Sequence, residues 1–236
     1  MTSPSVLSEN HHRALLANPE FAALSDVVRN DVLIHGRQRR LAAGQTLFRR
    51  GDKPDGLYIV LEGSLRVSGT SRDGLEAVLN FYEPGCWIGA VSALDGLPRA
   101  HDAQAVTASL VLQITPADLE TLIARHPPFC RFLLHLQSSQ MRALLVGFEA
   151  FSTQSLEQRF ASRLMALASA FGSPMPQGGL NIELRLSQET LAQLLGTTRQ
   201  RINQLLKKWE QEGLIEQRYG RIVVLDQDRL EELAQE

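Results

Sequence analysis

Apolar positions follow two rhythms along this chain. Between Pro19 and Leu33, Phe21, Leu24, Val27, Val28, Val32 and Leu33 recur at steps of three and four, and with the spacing in Arg13–Leu16 they predict one or two short helices. From Arg39 to about Thr115 the rhythm shortens into β-type runs, Leu57–Leu61, Leu65–Val67, Ala77–Phe81 and Leu110–Ile114. Turn formers separate them: Ala43-Gly44, Arg50-Gly51-Asp52, Pro54-Asp55-Gly56, Glu62-Gly63, Asp73-Gly74, Glu83-Pro84-Gly85 and Asp95-Gly96. Many short strands joined by tight turns predict a closed antiparallel roll.

After Thr115-Pro116-Ala117-Asp118 the helical rhythm returns, and from Pro128 to about Phe151 it predicts one long helix with apolar residues on more than one face. Leu133, Leu136, Gln140, Ala143 or Leu144, Gly147 and Phe151 approximate a three-four seam for a partner helix, while Phe132, Met141, Leu145 and Phe148 lie off it and suit the roll. The alternative is a monomer helix buried on all sides. A second helix is expected over Ser155–Phe171, followed by a break at Gly172–Gly179. The fold class is therefore α+β, with N-terminal helices and β-roll in 1–126, a dimerisation helix in 127–153 and a separate C-terminal domain in 154–236.

The last assignment rests on Leu186–Ile215. Ser187 suits an N-cap with Glu189 near the positive helix end, Gly196 can take the left-handed conformation that ends a helix, and Thr198 can cap the next. Leu191, Leu194 and Leu195 supply an apolar face, and Ala192 permits a close crossing, so the segment reads as a helix-turn-helix. In its second helix Ile202, Leu205, Leu206 and Trp209 share one side; Gln200, Gln204 and Lys207 oppose them, flanked by Arg201, Asn203 and Lys208. That outward face carries hydrogen-bonding groups and no acid. Arg199, in the first turn, suits guanine, and Gln200 suits adenine; Gln204 and Asn203 complete the expected base readers. The following Glu216–Leu225 reads as two strands about a Tyr219-Gly220 turn, a wing whose Arg218 and Arg221 would hold phosphates together with Thr198, Arg201 and Lys207.

Charge sharpens this picture. The whole chain carries a net charge of −2, which announces no nucleic-acid partner, but from Arg185 to Val224 seven Lys/Arg stand against four acids. The basic excess is local. Cys86 and Cys130 are too few and too far apart for a metal framework and read as small buried hydrophobes of a reducing compartment. No apolar run is long enough to cross a bilayer and Met1–Arg13 lacks an apolar signal core, so the cytoplasm is expected.

Together these residues resemble the Crp/Fnr family of bacterial transcription regulators, from about Asn18 to Leu225. The resemblance rests on Gly44–Asp52 (GQTLFRRGD), Gly56–Gly63 (GLYIVLEG), Ile88–Ala100 (IGAVSALDGLPRA) and the helix-turn-helix. It implies a cyclic-nucleotide-binding-like roll, a homodimer, and one recognition helix per subunit in successive major grooves of a near-palindromic site, with RNA polymerase as a further partner. Arg199 and Gln200 match the family's base-reading positions, while Gln204 stands where a basic residue is frequent. Gly89–Ala100 matches the phosphate-binding cassette: Gly89 and Arg99 keep the phosphate holders, Ala90 replaces the ribose-binding glutamate, Ala100 replaces a hydroxyl residue, and Leu144 and Leu145 stand at the adenine-facing helix positions. Each lost bond to a charged group is worth about 1.5–3 kcal/mol, so cyclic AMP is disfavoured as the effector. Arg99 then serves another anion or a structural salt bridge with Asp95 or Asp102.

The family's other sensor chemistries give less. An iron–sulfur cluster needs an N-terminal cysteine group that is lacking, and haem needs an axial ligand for which His11, His12, His35, His101, His126 and His135 are candidates without a pattern. Two further readings stay open: a ligand-independent regulator whose roll is a dimerisation and polymerase-contact platform, and a cupin-like metalloenzyme. The latter needs clustered His and Glu, whereas His101 is the only histidine in the strand region.

Overall fold

In the computed structural model, residues 7–218 and 220–235 are described, so that Tyr219, expected at the tip of the wing, lies outside the described residues. Three short helices stand among them before the strands, rather than one or two, because three side chains cap separately. Ser8 accepts from the His11 amide ahead of α1 (Glu9–Leu16), Asn18 from those of Glu20 and Phe21 ahead of α2 (Pro19–Ala22), and Ser25 from that of Val28 ahead of α3 (Asp26–His35).

The roll comprises β1 (Arg37–Leu41), β2 (Thr46–Phe48), β3 (Leu57–Glu62), β4 (Leu65–Thr70), β5 (Glu76–Tyr82), β6 (Trp87–Ile88), α4 (Ala90–Asp95), β7 (Asp102–Ala105) and β8 (Ser109–Ile114). These strands form two sheets, ordered β1-β8-β3-β6 and β2-β7-β4-β5. The continuous apolar run of β3 has a geometric reason, since successive side chains of a strand point to opposite faces. Tyr58 and Val60 enter the core with Phe48, Leu65, Ile88 and Val111, whereas Leu57, Ile59 and Leu61 enter a second core shared with the helices. Both faces are covered, so both alternating sets are apolar.

That second core is completed by α5 (Pro116–Arg125) and the first half of α6 (Pro127–Thr153). Trp87 sits at its centre, its ring centroid 4.8 Å from that of Phe132 and 5.3 Å from that of Phe21. Here the seam expectation is corrected: Leu133 and Leu136 are buried in this core, not turned to a partner helix, because the same side of α6 packs on the roll. The helix buried on all sides is overturned as well, since Met141, Leu144, Leu145, Val146, Phe148 and Phe151 are exposed. Packing divides the chain within α6: residues through Ala143 belong to the first unit, Glu76–Val78 apart, and Leu144 onward to the second.

The second unit begins its own core with α7 (Leu156–Phe171), where Ser155 and Gln158 form a reciprocal capping box. The expected break contains structure. β9 (Gly172–Pro174) pairs antiparallel with β10 (Leu180–Ile182), and Gly178 and Gly179 near φ +90° make the return possible. There follow α8 (Gln188–Leu195), α9 (Arg199–Gln211), β11 (Ile215–Arg218), β12 (Arg221–Val224) and α10 (Gln227–Gln235). The sheet order is β11-β12-β10-β9, which anchors the wing on β10. Phe160 of α7 stacks on Trp209 of α9 at 4.6 Å, and Ile202 and Leu206 are buried beside them. Among the described residues, no helix is long and apolar enough to cross a membrane.

Candidate nucleic-acid interface and effector recess

The helix-turn-helix is built by local bonds. Ser187 Oγ accepts from the Thr190 amide at 3.0 Å, Gly196 ends α8 at φ +62°, and Thr198 Oγ1 accepts from the Arg201 amide at 3.3 Å. Ala192 is buried, as a close crossing of α8 and α9 requires. With Ile202, Leu206 and Trp209 turned inward, the helical period leaves Arg199, Gln200, Arg201, Gln204 and Lys207 exposed along one continuous side. Asn203, expected among the base readers, is half-buried, and its Oδ1 accepts from Gln188 Nε2 at 3.0 Å. It secures α9 to α8 in the free chain. Lys208, expected beside the outward face, donates to Glu157 at 2.8 Å, and the Trp209 indole N–H donates to the same carboxylate at 2.9 Å. Burial alone would raise the Glu157 pKa, but these two hydrogen bonds outweigh it and hold it low.

The wing arginines are already paired. Arg218 donates to both carboxylate oxygens of Glu216, at 2.6 and 2.7 Å, and Arg221 Nη1 lies 2.9 Å from Glu183 Oε2. Glu183 also accepts from Ser173 and Asn181, which, with the neighbouring Arg221, keeps its pKa below the ordinary value. Glu183, Glu216 and Gln188 are the residues that sequence reasoning missed here. Glu216 had a signal, standing two before Arg218 on one strand face; Glu183 needed the register of the sheet.

The cassette forms a recess of about 220 Å³ in the roll, lined in part by Phe48, Ile88, Gly89, Ala90, Arg99, Ala100, His101 and Gln140. Leu144 and Leu145 do not line it; the long helix reaches it one turn earlier, through Gln140, and both leucines are exposed. Arg99 is 2% exposed. Its Nη1 donates to the Gly89 carbonyl at 2.9 Å, its Nη2 to the Gly56 carbonyl at 2.6 Å and to Asp55 Oδ1 at 2.9 Å, and its guanidinium lies 4.2 Å over the Phe48 ring. The ion-pair partner is thus Asp55, not Asp95 or Asp102: the start of β3 brings it across the roll to the cassette. Gly89 is required, because a Cβ there would meet Arg99 Nη1 at 2.5 Å and its φ is +82°.

Burial would raise the Asp55 pKa, yet hydrogen bonds from Tyr58, at 2.5 Å, and Arg99 hold it below the usual carboxylate value. His101, which lines the recess, is held below the ordinary histidine value by burial and by Arg50. The other histidine candidates are mostly engaged: His11 meets Glu62, His35 and His126 meet Asp31, His135 meets Glu20, and His12 bonds the Ser8 carbonyl. Burial pushes the Cys86 thiol up to about 11, and both cysteines are free. Among the described residues no three His, Cys, Asp or Glu side chains gather as metal ligands.

Residues 38–126 match the cyclic nucleotide-binding domain family, and residues 158–233 match the Crp-like helix-turn-helix domain family. The chain is 28% identical over 187 residues to the CRP-like cAMP-activated global transcriptional regulator of Mycobacterium tuberculosis, covering 79% of this chain and 83% of that one. It is 29% identical over 205 residues to the cyclic AMP receptor protein of Thermus thermophilus, covering 86% and 91%. A crystal structure of a CRP-family transcriptional regulator from Thermus thermophilus matches the fold with a TM-score of 0.72 at 27% identity, over 84% of this chain and 97% of that one.

Proposed function

Because the chain belongs to the Crp/Fnr family of DNA-binding transcription regulators and is not an enzyme, we propose that it acts as a homodimer on a near-palindromic operator in the cytoplasm. Arg199, Gln200 and Gln204 read bases; Thr198, Arg201, Lys207, Arg218 and Arg221 hold phosphates. The observation that carries this reading is the side of α9 that leaves Arg199, Gln200, Arg201, Gln204 and Lys207 exposed, the first acid on it, Glu210, standing a turn beyond Lys207 and bonded to Gln217. Dimerisation is supported by the exposed apolar residues of α6, Leu144, Phe148 and Phe151 foremost, with Gly147 between them; a contiguous apolar surface of this kind marks an interaction site. In this reading residues 1–126 sense, 127–153 pair and 154–236 bind DNA, with RNA polymerase the partner beyond the operator.

Two of the relatives are named for cyclic AMP. We read the effector here as a different molecule, because the side chains of Ala90 and Ala100, which line the recess, offer no hydrogen bonds. The ligand-independent reading has one observation in its favour, the Arg99 guanidinium already neutralised by Asp55.

Selection of bound sequences from random DNA tests the first reading. It should return a symmetric site with half-site centres one helical turn apart, roughly 34–36 Å. Binding without sequence preference at moderate salt overturns it. Sedimentation of the wild type and of Phe148→Asp tests pairing: the wild type should run as a dimer and the variant as a monomer.

A further inference from the structure

Resting on the reading of the wing as a phosphate holder, we propose that Glu183 and Glu216 are built-in stand-ins for DNA phosphate. Their carboxylates occupy Arg221 and Arg218 in the free chain, and the DNA backbone must displace them to engage the wing. The two acids then limit how tightly the wing grips DNA of any sequence.

The register of the sheet gives a reason for acids at these places. Arg218 of β11 stands directly opposite Arg221 of β12, and like charges so placed on neighbouring strands repel. Glu216 shares the face of Arg218, two residues earlier on β11, and Glu183 follows β10, the strand that pairs with β12 on its other side. Each arginine takes one carboxylate, and the repulsion across the hairpin is relieved.

The contacts are those an arginine makes with a phosphate. Arg218 gives Nε and Nη2 to the two oxygens of Glu216, at 2.6 and 2.7 Å, the two-pronged arrangement that carboxylate and phosphate share. Arg221 gives Nη1 to Glu183 Oε2 at 2.9 Å, while Oε1 accepts from Ser173 Oγ at 2.6 Å and from Asn181 Nδ2 at 2.9 Å. Glu183 is thus steadied on both oxygens rather than by its arginine alone. All four charged side chains lie between 39% and 50% exposed, so a phosphate can reach either guanidinium from solvent. An N–H given to the acid is not free for that phosphate, and the acid's charge repels it. A bracing role alone carries the opposite sign: acids that only hold the hairpin together would weaken DNA binding when neutralised, whereas acids that must be displaced strengthen it.

The test is fluorescence-anisotropy titration of the full chain, at one low salt concentration, with a random-sequence duplex and with the operator recovered by selection. The variants are Glu183→Gln and Glu216→Gln, in which glutamine keeps an acceptor oxygen and loses the charge. Exposed ion pairs are individually weak, so each variant should bind about threefold tighter and the double variant about tenfold. The gain should be equal on both duplexes, since phosphates carry no sequence information. It should vanish for Glu183→Gln in an Arg221→Ala background and for Glu216→Gln in an Arg218→Ala background. Unchanged or weaker binding in both single variants overturns the proposal. So does a gain confined to the operator, or one that survives removal of the paired arginine, which is the mark of general charge repulsion. Arg218→Ala and Arg221→Ala by themselves separate this proposal from the reading beneath it. If they weaken binding while the glutamine variants do not tighten it, the stand-ins fall and the wing reading stands; if neither weakens binding, the wing reading itself falls.

Discussion

Arg99 in the roll and Arg199 in the winged helix are held in opposite ways. The first is 2% exposed and fixed by two carbonyls, a carboxylate and an aromatic face. The second stands exposed in the first turn of α9, with one long contact of 3.5 Å to Gln188. The roll positions its cation through residues that meet only when the sheets close, 44 positions away in the case of Asp55. The helix positions its cation by phase alone, once Thr198 and the buried face are set. Removal of the first therefore strikes the fold, and removal of the second strikes recognition.

Substitution at each site sharpens this contrast. Arg99→Ala removes the buried cation that Asp55 and the Gly56 and Gly89 carbonyls share and should cost about 3 kcal/mol of folding stability, the low end for a broken buried pair because Asp55 is nearly half exposed and keeps its contacts with Tyr58 and Arg39. Urea denaturation measures it, and a loss under about 1 kcal/mol would erase the difference between the two arginines. Arg199→Ala should weaken operator binding by about 2 kcal/mol and relax preference at one base pair, with folding unchanged within about 0.5 kcal/mol. Titration against operator variants reads it. Arg221→Ala should fall evenly on all sequences and lower the salt slope by about one unit, with a smaller loss, because its release from Glu183 offsets part of the phosphate contact.

Acid is the mildest probe. The Asp55 pKa is lower folded than unfolded, so its stabilisation is fully present above the ordinary value of 3.8 and is lost as pH falls through the folded pKa. Melting temperature should fall over that interval in the wild type, and less steeply in Arg99→Ala. An identical acid profile in both would break the assignment of Asp55 to Arg99.

The same contrast explains what the sequence made legible. The helix-turn-helix was readable because its signals act over three or four residues: Ser187 to Thr190, Ala192 to Gly196, Thr198 to Arg201. The long apolar runs β3 and β8 were readable too. β1 and β7, sequences RQRRL and DAQA, were not, since they are strands by virtue of what they pair with; β1 lies along β8 from Arg37 opposite Gln113 to Leu41 opposite Ser109. Spacing likewise cannot tell Leu133 from Leu144, because a helical period says which residues share a side and not what that side meets. The Asp55 partner of Arg99 lay hidden for the same reason, as did Glu183 against Arg221.

The bare stretch of α6, with Leu144 at 70% and Phe148 at 73% exposure, carries a further consequence. Covered by a second copy, as proposed, it makes the abundance of the chain a thermodynamic variable. Folding and pairing then share one equilibrium, so melting temperature rises with dose, and dilution alone weakens the protein by mass action.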